Sequence, residues 1–117
     1  MCSKTLSKPA KSAILYLMMT ARQRILYKFD EHGNDIRSFG VKRIGLFGSF
    51  AKGQQHSKSD LDVLVEFKKG QKTFDHFMDL KFFLQKHFGK KVDLVLKDAL
   101  KPSIRQKILK EVLYAGL

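Results

Sequence analysis

Gly45-Leu46-Phe47-Gly48-Ser49-Phe50-Ala51-Lys52-Gly53, a polar loop, and then Ser59-Asp60-Leu61-Asp62-Val63-Leu64-Val65-Glu66-Phe67 form the stretch that decides the fold. Ten residues lie between Ser49 and Asp60, and one lies between Asp60 and Asp62. A third acidic residue in an apolar setting, Asp93, follows in Lys91-Val92-Asp93-Leu94-Val95-Leu96. Successive side chains of a strand point to opposite faces, so Asp60, Asp62, Leu64 and Glu66 share one face and Leu61, Val63, Val65 and Phe67 the other. The Cα atoms of Asp60 and Asp62 are then roughly 7 Å apart, from a rise of about 3.3 Å per residue.

Two carboxylates that close repel unless a cation lies between them. Mg²⁺ is a hard cation that takes one or two carboxylates, substrate phosphates and water. Gly48-Ser49 closes an apolar, strand-like run, and a glycine lets backbone approach a phosphate. A phosphate cradle and a metal-binding pair within one short unit are the equipment of phosphoryl or nucleotidyl transfer. The bland alternative for the aspartates is a solvated strand edge, which a Val/Leu-rich strand fits poorly. Ser49 could simply cap a short helix, a role compatible with phosphate binding. Glu66 lies about 13 Å along the strand from Asp62 by the same rise and reads as a solvated residue near the strand's end.

The chain has 117 residues, enough for one domain, and 44% are hydrophobic, enough for one core. Its 23 Lys and Arg against 11 Asp and Glu give a net charge of +12, which favours polyanions, nucleotides or an acidic partner over a neutral one. The basic residues are scattered, in doublets such as Lys68-Lys69 and Lys90-Lys91. Neither a zinc-finger spacing nor an interleaved aromatic RNA-binding signature accompanies them, so nucleic acid is not the favoured partner. A single Cys2 excludes an internal disulfide and is compatible with a cytoplasmic protein. No apolar run approaches the roughly 18 residues of a membrane span. The run Ala13–Met19, behind Lys4, Lys8 and Lys11, fits an export signal poorly because no small-residue cleavage site follows. Residues 1–21 therefore read as an N-terminal extension that packs as an extra helix or is partly ordered, and 22–117 as the domain proper.

From Thr20 a broken helical stripe of Ile25, Leu26, Phe29, Ile36 and Phe39 predicts a helix kinked or divided at His32-Gly33-Asn34 and stopped by Gly40. Val41–Phe47 predicts the first strand, Ser49–Lys52 a one-turn helix stopped by Gly53, and Asp60–Phe67 the second strand. Thr73 is the expected cap of a Phe-rich helix ending at Gly89. Its stripe of Phe74, Phe77, Met78, Lys81, Leu84 and Phe88, widened by Leu80, Phe82 and Phe83, exceeds what three strands need to cover and leaves apolar area for an interface. Val92–Leu96 predicts the third strand, and Pro102 opens a last helix with Ile104, Ile108, Leu109, Val112 and Leu113 inward. This alternation predicts a small α/β domain, a mixed sheet of three core strands flanked by helices. His32, His56, His76 and His87 have no metal-ligand spacing and read as surface or packing residues. Tyr114 reads as packing.

Gly48-Ser49, ten residues, Asp60-x-Asp62 and a later Asp in an apolar strand resemble the signature of the DNA polymerase beta-like nucleotidyltransferase superfamily. Size and flanks, from about Arg22 to Leu117, resemble its minimal nucleotidyltransferase (MNT) proteins, antitoxins encoded beside small helical HEPN proteins. The Gly-Ser to Asp-x-Asp spacing is the specific part; a lone Asp-x-Asp would be weak. The resemblance implies that Asp60 and Asp62 hold Mg²⁺, as two ions, and that Asp93 is the third carboxylate, orienting metal or activating the nucleophile. It implies that Gly48 and Ser49 hold the triphosphate of ATP. Lys52 stands where such sequences often carry Arg, offering a point charge without a bidentate fork. The implied reaction is AMPylation of a hydroxyl, a tyrosine, on a HEPN RNase toxin that forms a hetero-oligomer with the chain. Alternatives are neutralisation by stoichiometric docking, or nucleotidyl transfer to a small molecule or RNA. Small-molecule transfer usually needs a second domain, for which this chain has no room.

Overall fold

A computed structural model describes residues 17–56 and 58–116. The readings of the segment before Leu17, including the run from Ala13, lie largely outside the described residues. Helix α1 (Ala21–Glu31) starts where Thr20 and Gln23 satisfy each other's backbone N–H groups in a capping box. It breaks at His32, as the polar interruption predicts, and α2 (Gly33–Ser38) follows. Next come β1 (Val41–Phe47), the single turn α3 (Ser49–Lys52), β2 (Leu61–Phe67), α4 (Phe74–Phe88), β3 (Val92–Leu96), a 3-10 turn (Lys97–Ala99) and α5 (Pro102–Glu111). Thr73 caps α4 by accepting from the His76 N–H, Gly89 ends that helix in the left-handed region, and Pro102 sits at the start of α5.

A short fourth strand, β4 (Leu113–Tyr114), was not expected from the sequence. Leu113 and Tyr114 were read as helix end and packing residue; they pair antiparallel with Leu46 and Gly45 of β1. A side chain on Gly45 would press on Val112 Cγ2 at 2.7 Å, so the glycine is what lets β4 close on β1. The sheet order is β3-β2-β1-β4; β1 runs antiparallel to β2 and β4, and β2 parallel to β3. The result is the expected α/β class with a four-stranded mixed sheet.

Alternation along the strands feeds two apolar layers. Ile44 and Leu46 of β1 join Leu61, Val63 and Val65 of β2 beneath Ile25, Phe29, Ile36, Leu80 and Leu84 of α1, α2 and α4. Phe47 and Leu64, facing the other way, pack with Leu100, Ile108, Leu109 and Val112 around α5. Asp62 lies in β2 between Leu61 and Val63, on that second face. Leu80 and Leu84 are the buried centre of α4, whereas Phe74 and Phe82 are exposed, so part of the predicted stripe is not core. Phe74 is the first residue of its helix.

His32 at the α1–α2 break and His87 near the end of α4 pack ring to ring, with centroids 4.3 Å apart and Phe83 beside both. Both histidines therefore have the packing role expected of them. Among the described residues, no helix is long and apolar enough to cross a membrane.

Phe29 is fully buried and meets Phe88 edge to face at 5.4 Å. Phe29→Ala should cost about 3–5 kcal/mol in urea unfolding, since the surrounding helices cannot collapse fully into the space.

Candidate active site

The site forms where β1 ends and β2 and β3 begin. Phe47 pairs with Asp62, and Asp62 pairs in parallel register with Asp93. Residues in register on neighbouring strands share a face at a strand separation of about 4.8 Å. Asp60 stands one residue before β2, a shift of one position from the predicted boundary. Topology thus brings together three acids that the sequence separates by up to 33 positions, Asp60 to Asp93.

Burial pushes the Asp62 carboxyl up to about 6, helped by the charges of Asp93 and then Asp60. Among the described residues, none of the three makes an ion pair with a Lys, Arg or His. The cluster is therefore short of positive charge. Nor, among the described residues, do three or more His, Cys, Asp and Glu side chains come close enough to cage a metal by themselves. The uncompensated negative charge suits a hard cation such as Mg²⁺, which completes its shell with water and substrate phosphates and needs only one or two carboxylates.

Gly48 forms the inner wall. Its φ of +76° lies outside what side-chain-bearing residues readily adopt. A Cβ there would also collide with Oδ2 of Asp62. Ser49 opens α3, whose single turn is closed by Lys52 N–H donating to the Gly48 carbonyl at 3.1 Å. Arg22 of α1 donates from Nη1 to the Ala51 carbonyl at 2.8 Å and ties this turn to the first helix. Lys52, the expected phosphate ligand, has its Nζ 3.5 Å from Oε2 of Glu111 at the end of α5.

Neither Arg22 nor Glu111 was singled out from the sequence. They lie 29 and 59 positions from the groups they hold, and only the folded chain shows the pairing. Glu66 also differs from its reading as a solvated strand-end acid. Its side chain is mostly covered, with Lys42, Arg43 and Lys97 at 3.7–3.8 Å. His56, in the loop between α3 and β2, is exposed.

The sequence pattern of the nucleotidyltransferase domain family matches residues 29–115. The chain belongs to that family. This nucleotidyltransferase domain is 39% identical over 84 residues to the protein adenylyltransferase MntA of Thermococcus cleftensis, covering 71% of this chain and 84% of that one. A Methanocaldococcus jannaschii protein named for the same activity is 43% identical over 79 residues, covering 65% of this chain and 78% of its own. A solved minimal nucleotidyltransferase superposes with a TM-score of 0.70 at 29% identity, over 82% of this chain and 97% of the other. In fold, the domain also resembles the MNT antitoxin solved in complex with a tri-AMPylated Shewanella oneidensis HEPN toxin, with a TM-score of 0.57 at 19% identity over 80% of this chain and 70% of the other. A toxin–antitoxin structure with AMP-PNP gives 0.58 at 22%, over 72% and 69%. The enzyme class and the fold expected from the sequence are thereby borne out.

Two measurements probe the geometry. Because Asp62 binds its proton more tightly in the folded than in the unfolded chain, stability contributed below its unfolded value near 3.8 is lost as pH rises through about 6. Asp62→Asn should therefore raise the thermal unfolding midpoint, and by more at pH 8 than at pH 4, in the absence of divalent cations. Gly48→Ala should remain folded by circular dichroism yet lose nucleotidyl transfer almost completely, because the Cβ displaces the Asp62 carboxylate.

Proposed function

We propose that this chain is an antitoxin that transfers AMP from ATP to a hydroxyl, a tyrosine, of a partner HEPN toxin. The convergence of Asp60, Asp62 and Asp93 beside the Gly48 turn, without a counter-cation, carries this reading. The relationship to MntA supports protein as the acceptor class, and the fold shared with an MNT antitoxin supports the partner.

Asp60 and Asp62 are the groups that would hold Mg²⁺, with Asp93 completing the acidic wall. Bound there, the ions would supply Lewis-acid stabilisation of the attacking and leaving oxygens. Gly48 and Ser49 offer the backbone of their turn to the phosphates beside the Asp62 carboxylate. Lys52 exchanges its contact with Glu111 for a phosphate oxygen, as a point charge can. The acceptor oxygen forms a bond to the α-phosphorus, the bond to the bridging oxygen breaks, and pyrophosphate leaves. Asp93, more exposed than Asp62, takes the proton of the hydroxyl. The partner presents the acceptor hydroxyl to this site.

Purified chain, Mg²⁺ and ATP labelled at the α-phosphate should label a cognate HEPN-domain protein. Asp60→Ala combined with Asp62→Ala should reduce the label to background. Label that never moves, or that moves equally with the double variant, defeats the proposal. Full protection of cells by the double variant would instead assign neutralisation to docking alone.

A further inference from the structure

At the end of the sheet away from the carboxylates, the C-terminal ends of β2 and β3 and the turn after β2 enclose a cavity of about 210 Å³. Lys68, Lys69, Lys72 and Lys97 line it, with Glu66 and Asp98 as its acids. Glu66 already faces Lys97 at 3.7 Å and Lys42 and Arg43 at 3.8 Å, so one carboxylate is shared among three cations. Asp98 neutralises only Lys72, at 3.8 Å. Lys68 and Lys69 are exposed and, among the described residues, make no ion pair. Six cations thus meet two carboxylates, and the surplus is a local concentration of the chain's +12.

A second hollow of about 240 Å³ adjoins the first, sharing Lys72 and Leu96 and adding Thr73, Phe74 and Phe77. Phe74 is 77% exposed, a large ring left in water at the border of the lysines. A cationic track beside an exposed aromatic platform is the combination that holds single-stranded nucleic acid, with phosphates on the lysines and bases stacked on the ring. A duplex keeps its bases inside and leaves the ring unused.

We infer that this face binds single-stranded RNA or DNA, with Lys68, Lys69 and Lys97 on the phosphates and Phe74 under a base. The aromatic and the lysines do not interleave as a linear motif. The turn from Lys68 to Thr73 and the end of β3 assemble them.

The test is fluorescence anisotropy with a labelled uridine oligomer of about 12 nucleotides. Neutralisation of about three phosphates should make affinity fall roughly twentyfold between about 50 and 200 mM salt. Lys68→Glu with Lys69→Glu should weaken binding at low salt at least tenfold and flatten the salt dependence. Phe74→Ala should weaken it about tenfold and leave the salt dependence unchanged. Both variants change exposed residues and should keep the wild-type unfolding midpoint, and the Asp60→Ala, Asp62→Ala variant should still bind. Absence of binding at low salt, or binding that neither variant reduces, overturns the inference. So does displacement of the oligomer by polyglutamate when Phe74→Ala has no effect, which would assign the face to an acidic protein.

Discussion

Asp62 stands where it does because Gly48 has no side chain. The carboxylate fills the volume that a Cβ at Gly48 would occupy, and the backbone there has a φ of +76° that other residues resist. That close approach joins the end of β1 to the start of β2. It sets the phosphate-facing turn and the acidic wall side by side before any ligand arrives. The approach has a cost, because burial and two neighbouring acids raise the Asp62 carboxyl to about 6. A site that stores repulsion of this kind is poised for a cation.

The rest of the molecule holds this arrangement rigid. Seven-residue strands pair Phe47 with Asp62, and five-residue β3 brings Asp93 level with it. Beneath them, a fully buried layer of Ile44, Leu46, Leu61, Val63 and Val65 resists any slip of register. A slip by one residue would turn the aspartates into that layer and the valines toward the site. On the other face, Phe47 and Leu64 pack with Ile108, Leu109 and Val112 around α5. Arg22 and Glu111 add polar ties from α1 and α5 to the C-terminal end of the short helix α3.

Much of this was legible in the linear chain. The helix cap at Thr73, the stops at Gly53 and Gly89, and the three main strands follow from local chemistry that tertiary contacts reinforce. Asp60, Asp62, Gly48 and Ser49 were recognisable because their separation along the chain is itself set by one strand, one turn and one loop. Other features gave no such signal. Two-residue β4 is too short for periodicity, and the glycine that admits it, Gly45, sits in an ordinary strand sequence. Glu66 belongs to the same alternating pattern as Asp62, yet three cations from β1 and the 3-10 turn enclose it. The exposure of Phe74 is likewise hidden in a helical stripe, since periodicity assigns a face to a side chain without saying where the sheet beneath it ends.

The sequence by itself determined the α/β alternation, the enzyme class and the chemical types at the site, because strand period, capping and motif spacing are properties of neighbouring residues. Only the tertiary structure decided that Asp93 stands level with Asp62, that Lys52 rests on Glu111, and that lysines from the turn after β2 and the end of β3 gather beside Phe74. Those relations join residues far apart in the chain. They depend on strand order and on where each element stops, which are set by how the two apolar faces of the sheet are covered.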